Sequence, residues 1–209
     1  MASMMVDPGN RKLFIFVTSF LLLVALLAIV AISGGLFDPK PQGELISRED
    51  IDRRIRIDDE YQRLLSSNLS YADYSVRLSA AWSSGDQDIG YGLKLGNEDE
   101  GTIVAVSPLG YVTIMEQREN QAPAGIGLEY KDPDHAMPWQ TWPHVRQGNQ
   151  TNEIWIDVMD SQMTSVRVNR ELLWKGAVPL MGSDAFLWAE SYGEPAIITI
   201  GSYELFGTD

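Results

Sequence analysis

"GYGLKLGNEDEGTIVAVSPLGYVTIMEQ", residues 90–117, decides the fold of this chain. Three short runs, GYGLKLG, TIVAVS and YVTIMEQ, carry β-branched density or the period-two alternation of a half-buried strand. Between them stand GNEDEG and SPLG, built from residues that favour tight turns. The stretch therefore reads as three strands joined by two turns.

The same texture continues on both sides. Upstream lies YSVRLSAAW, ended by SSGDQD. Downstream come IGLEYK, NEIWIDVMD, TSVRVN, ELLWKG, AFLWAES and AIITIGSYELF, separated by KDPDHAMP, RQGNQTN, MGSD and YGEP. Many short strands at this spacing, with no helical stretch between them, predict an all-β antiparallel sandwich or barrel over residues 69–209.

The N-terminal part differs. Residues 13–33, LFIFVTSFLLLVALLAIVAIS, hold no charge, and at about 1.5 Å per residue such a helix is long enough to cross a membrane's hydrocarbon core. A secretory signal has a shorter apolar region, so a retained anchor is expected, although AIS before Gly34 has the small residues of a cleavage site. Arg11 and Lys12 precede the helix, while Lys40 beyond it is offset by Asp38 and Glu44. The positive-inside rule then makes residues 1–12 a cytoplasmic tail. The rest would lie outside the cytoplasmic membrane, periplasmic or extracellular, on a single-pass anchor.

Residues 34–47 open with GGLFDPKPQG and read as a linker, since Gly and Pro cannot continue the helix. For 48–68 a short stalk helix is expected. Ser47 with Asp50 three residues on resembles a capping box, and Ile51, Ile55, Tyr61 and Leu65 fall roughly on one helical face. A strand through RIRID, where Ile55 and Ile57 alternate, is the competing reading.

Charge and composition exclude several function classes. The chain of 209 residues has formal charge −13, and residues 1–35 contribute +1, leaving −14 for the remainder. Such a field repels phosphate backbones, so no nucleic-acid partner is expected. The chain has no cysteine, which removes disulfides, thiolate metal sites and cysteine nucleophiles.

Taken in order, the motifs carry a resemblance. GYGL at Gly90–Leu93, the strand opening at Gly110–Tyr111, the turn Val145–Gly148 with Asn152, and the hairpin Val168–Asn169 resemble the concanavalin A-like (laminin G-like) jelly-roll superfamily. More closely, they are similar to bacterial membrane-anchored members of the kind found in filamentous Chloroflexi. The resemblance covers roughly residues 70–209 and implies a jelly-roll sandwich. It has two departures. Arg170 stands where the hairpin usually has glycine, so that turn must differ or hold a side chain at positive φ. MGSDAFLWAES replaces a glycine-rich strand on the sheet face where related lectins bind ligand.

The resemblance also raises glycoside hydrolysis, which needs two carboxylates about 5–10 Å apart. Enzymes on this fold carry an acid-x-acid-x-x-acid run along one strand, and none occurs here: Glu153 and Asp157 flank an apolar strand centre without a third acid. His135 and His144, the two histidines, stand in no nucleophile-elbow or H-E-x-x-H context. No enzyme activity is expected. Calcium is the one cofactor with candidates, Asp86 and Asp88 in SSGDQD and Asp132 and Asp134 in KDPDH, each pair offering oxygens two residues apart. The same carboxylates also serve Asx-type turns.

Trp82, Trp155 and Trp188 lie inside strands, where burial explains them. Trp139 and Trp142 stand in a Pro-bounded loop and, with His144 and Arg146, make the candidate interaction surface. The expected function is a non-catalytic, membrane-anchored sandwich acting in protein–protein assembly, as an accessory subunit of a larger membrane complex. An electron-transfer setting comes only from the resemblance. The alternatives are a cell-surface carbohydrate-binding module and, second, a glycoside hydrolase-like enzyme. Expected partners are the lipid bilayer and other subunits of the membrane complex, with carbohydrate in the alternative.

Overall fold

The computed structural model describes residues 8–33, 38–118, 124–125 and 139–208, with side chains over 13–30, 38–118 and 139–208. Asp132, Asp134, His135 and the strand reading of IGLEYK lie outside the described residues. The chain divides into two compact units, Met1–Lys40 and Pro41–Asp209. In the first, α1 spans Pro8–Ser33. Its segment Leu13–Val30 is long and apolar enough to cross a membrane, a property that signal sequences share.

The second unit is an antiparallel β-sandwich of the jelly-roll kind. Its strands are β1 (Glu44–Ile57), β2 (Glu60–Ser66), β3 (Asp73–Gly85), β4 (Ile89–Gly96), β5 (Gly101–Val106), β6 (Tyr111–Gln117), β7 (Ala124–Gly125), β8 (Gln140–Thr141), β9 (Asn152–Met159), β10 (Gln162–Val168), β11 (Glu171–Pro179), β12 (Asp184–Ser191) and β13 (Ala196–Thr208). One sheet, called A below, has the order β1-β13-β3-β9-β10-β11. The other, sheet B, has the order β2-β12-β4-β5-β6-β7, with β8 also on β6.

Period-two alternation puts one set of side chains from each sheet between the layers. Val76 and Leu78 of β3, Ile154 and Ile156 of β9, and Ile198 and Ile200 of β13 meet Tyr91, Leu93 and Leu95 of β4, Val104 of β5 and Leu187 of β12. This single core forms without disulfides, as expected for a domain of this size.

The expected stalk helix does not form. Residues 44–57 are β1, paired with β13 from Glu44–Gly207 to Ile57–Ala196, and 60–66 are β2, paired with β12. Ile55 and Ile57 are 8% and 1% exposed and point into the core, while the alternating Arg54 and Arg56 are exposed. Ile51 and Ile55, like Tyr61 and Leu65, stand four residues apart, an even number. That spacing puts a pair on one side of a strand as well as on one face of a helix. The backbone hydrogen bonds that β13 and β12 offer along their free edges decide for strand. The linker likewise stops short of residue 47, because β1 begins at Glu44.

β4 and β5 are buried along their whole length, on both faces of sheet B. Cross-strand register shows why. Trp188, Gly92, Ala105 and Thr113 form one row on the outer face, and Phe186, Lys94, Ile103 and Met115 form the next. Ile103, Ala105, Met115 and Trp188 make a second apolar cluster, separate from the core, with Trp139 packed against it.

The outer face of sheet A is polar. Its central row reads Arg48, Glu204, Arg77, Trp155, Arg167 across β1, β13, β3, β9 and β10. Trp155 and Trp188 are both buried, as their place inside strands predicts, yet neither belongs to the core between the sheets.

Candidate functional site

A cavity lined by aromatic rings forms where three turns meet on the rim of sheet B. Asp88 and Ile89, Ser107, Leu109, Tyr111, Trp139 and Tyr192 line a cavity of about 120 Å³. They come from the β3–β4, β5–β6 and β12–β13 connections, together with the residue before β8.

Hydrogen bonds hold these turns together. Asp86 Oδ1 accepts the amide of Asp88 at 3.0 Å, closing an Asx-type turn, and its Oδ2 accepts the amide of Glu194 at 2.8 Å. Tyr192 N donates to the Asp88 carbonyl at 2.9 Å, and Trp82 Nε1 donates to the Asp86 carbonyl at 2.8 Å. The amides of Asp88 and Glu194 hold the Asp86 carboxyl below its ordinary pKa, because they bond the charged form. In the β5–β6 turn, Gly110 adopts φ +87°, a conformation where a side chain is strained, and its amide donates to the Ser107 carbonyl at 3.0 Å. Leu109 and Tyr192 are thereby left exposed at the cavity rim.

The rings have a defined seat. Trp139 and Tyr192 meet edge to face, with centroids 6.2 Å apart and an interplanar angle of 76°. Beneath them is Gly90, where a Cβ would come within 2.6 Å of the Trp139 ring and 3.3 Å of Trp188. Only glycine leaves room for the indole on the sheet.

Glu190, opposite Gly90 in the register, stands beside the side chain of Tyr192. Burial pushes the Glu190 carboxyl up, and the carboxylates of Glu60 and Asp59 push in the same direction. Burial and the adjacent Glu190 likewise raise the Tyr192 phenol, so it is a neutral hydroxyl at physiological pH.

The structure separates the sequence-predicted surface. Trp139 lies in the aromatic cavity. Trp142 is half-buried against the inter-sheet core, 5.7 Å from the exposed ring of His144, and its buried Nε1 makes no hydrogen bond. Arg146 is exposed and lines a different cavity with Ser79, Thr151, Glu153, Asn169 and Arg170. The four are neighbours in sequence but do not form one site. Asp88 joins the aromatic cavity, while Asp86 is engaged by backbone amides. Among the described residues no three His, Asp or Glu gather in a metal-binding group.

Sequence reasoning missed Tyr192, Tyr111, Ser107 and Glu190. A tyrosine in the turn YGEP was the available signal, since a large ring in a tight turn has no intrinsic conformational reason to be there.

No family model and no curated protein sequence matches the chain. Among solved structures it is similar to the carbohydrate binding module CBM66 from Bacillus subtilis. The TM-score is 0.51 at 13% identity, covering 78% of this chain and 94% of that one. It is also similar to the GH43 protein BlXynB from Bacillus licheniformis, with TM-score 0.51 at 9% identity, over 76% of this chain but only 34% of that one. These likenesses show the jelly-roll sandwich fold.

Proposed function

We propose that the sandwich binds carbohydrate, taking a sugar ring against Trp139 and Tyr192 in the cavity they help to line, and that α1 anchors it in the cytoplasmic membrane with the sandwich outside. The observation that carries this reading is the aromatic cavity with polar groups at its edge. The C–H face of a sugar packs on aromatic rings, and its hydroxyls donate to a carboxylate such as Asp88 or exchange hydrogen bonds with Ser107. About 120 Å³ is small beside the pockets that hold drug-sized ligands, so the cavity suits one sugar unit rather than a long segment. The similarity in fold to a carbohydrate binding module supports the same reading.

Binding without turnover fits the two acids of β9. Asp157 Oδ1 accepts hydrogen bonds from Ser75 Oγ at 2.6 Å and Trp155 Nε1 at 2.7 Å, and its Oδ2 accepts one from Ser165 Oγ. Glu153 is ion-paired with Arg77 and Arg170. Neither stands in the aromatic cavity.

The full-length chain in mild detergent is applied to an array of neutral glycans. We expect a defined set of sugars to bind, and Trp139→Ala or Tyr192→Ala to weaken binding at least tenfold, about 1.4 kcal/mol. Silence of the folded wild-type chain across the array would overturn the reading. Assembly with other membrane subunits has the charge-free segment Leu13–Val30 of α1 as its support. Native mass spectrometry of the same preparation tests it, and a chain running alone counts against it.

A further inference from the structure

We propose that the sugar bound in the aromatic cavity is an amino sugar, whose ammonium is held by the ring faces and by Asp88. The inference rests on the carbohydrate reading above and names the class of sugar that the same site takes.

The cavity combines ring faces with negative charge. Among its described lining residues, Trp139, Tyr111 and Tyr192 supply the rings, Asp88 supplies a carboxylate, and none is a lysine, arginine or histidine. The face of an aromatic ring is negative and attracts a cation, most strongly when the ring is tryptophan. The backbone of Asp88 is fixed at the rim: its carbonyl accepts from Tyr192 N at 2.9 Å, and its amide donates to Asp86 Oδ1 at 3.0 Å. The residue itself is exposed, so its carboxylate is open to a ligand.

The strand register brings further acids to this wall. Glu190 of β12 stands directly opposite Glu60 of β2, and like charges in directly opposed positions destabilise a sheet. Glu60 has compensation. Its Oε1 accepts from Gln62 Nε2 at 2.8 Å and from Trp188 Nε1 at 3.3 Å, and the Lys94 ammonium attracts it. Glu190, between Glu60 and Gly90 in the register, forms no ion pair among the described residues. Its field reaches the cavity: burial first, and then the carboxylates of Glu190 and Asp88, push the pKa of the Tyr192 hydroxyl up. A cation seated at Tyr192 would be attracted by both carboxylates.

These groups select among charged ligands. A divalent metal ion needs a shell of several oxygens, and among the described residues no three His, Asp or Glu gather to begin one. An ammonium needs less, since its N–H groups bond a single carboxylate while ring faces stabilise the charge. A neutral sugar would donate to Asp88 but leave Glu190 facing only like charge, and an acidic sugar would be repelled. The charge of −14 on the chain beyond residue 35 draws cations at long range as well.

The test titrates the full-length chain in mild neutral detergent with the glucosamine trimer and with its fully N-acetylated form. The pH is about 6, where an amine of this kind is protonated. We expect the amine to bind about tenfold more tightly than the acetylated trimer. Raising the salt from about 0.01 M to about 0.15 M, which shortens the screening length from about 30 Å to about 8 Å, should narrow that difference. Trp139→Ala should weaken both ligands. Asp88→Asn, which keeps the backbone turn, should shrink the preference for the amine about fivefold, and Glu190→Gln about twofold. Equal affinity for the two trimers would overturn this inference and leave the carbohydrate reading standing. A preference that survives both Asp88→Asn and Trp139→Ala would place the ammonium elsewhere on the acidic surface, with the same consequence. Silence toward both trimers and every neutral glycan would overturn the carbohydrate reading and this inference with it.

Discussion

The two outer faces of the sandwich each bury a tryptophan to about 1% exposure, by opposite means. On sheet A, the guanidinium of Arg77 lies 4.6 Å from the centroid of Trp155, and that of Arg167 lies 5.8 Å away. The indole N–H donates to Asp157, which also accepts two serine hydroxyls. On sheet B, Trp188 lies among Ile103, Ala105 and Met115 with Trp139 against them, and its indole N–H reaches Glu60 Oε1 at 3.3 Å. The first face closes over its ring with its own charged side chains, whose guanidinium groups lie over the indole. The second leaves an apolar patch, and Trp139 on that patch also forms one wall of the aromatic cavity. The outer face of sheet B is therefore held partly by apolar packing, and that of sheet A by charge and hydrogen bonds.

The largest expected effect lies on sheet B. Trp188→Ala should cost about 3–5 kcal/mol, since it removes the centre of a fully buried cluster. Urea unfolding measures this, and a loss below 1 kcal/mol would show that the patch is not a second core. On sheet A, Asp157→Ala should cost less, about 2–3 kcal/mol, by leaving the buried indole N–H and two hydroxyls without their acceptor. If it equals or exceeds Trp188→Ala in the same assay, the polar face and not the apolar one dominates.

The smallest effect concerns pH. Because the folded-state pKa of Glu190 is raised above its ordinary value of 4.5, the native state holds a proton that the unfolded chain has released. The resulting stabilisation is full below the unfolded value and is lost as pH rises through the folded one. Glu190→Gln should flatten that slope in thermal melts across the window. An unchanged slope would show that burial beside Tyr192 does not control this carboxyl.

The fold was largely legible in the sequence because strand period and turn chemistry are local. GNEDEG shows this: Asn97 Oδ1 accepts the amides of Asp99 and Glu100, so the turn is written in its own residues. Arg170 was legible in the same way, as a non-glycine residue in a glycine position, and the structure resolves the alternative in favour of a positive φ. The stretch 138–146 was not. Its rings and charges suggested one surface, but Gly90 seats Trp139 on sheet B, whereas Asn152 and Asn169 clamp Arg146 beside sheet A. Neighbours in sequence were divided by partners tens of residues away.

By itself, then, the sequence determined an apolar helix of membrane-spanning length, and a series of short strands whose cores alternate. These properties depend on composition and period within a few residues. Only the tertiary structure decided that residues 44–66 lie in edge strands of two different sheets, that Trp155 and Trp188 are buried outside the core, and that Trp139 and Arg146 line separate cavities. Burial on an outer face depends on what neighbouring strands carry there. Arg48 pairs with Asp50, two residues on, and also with Glu204, at the other end of the sandwich's chain; no local pattern records the second.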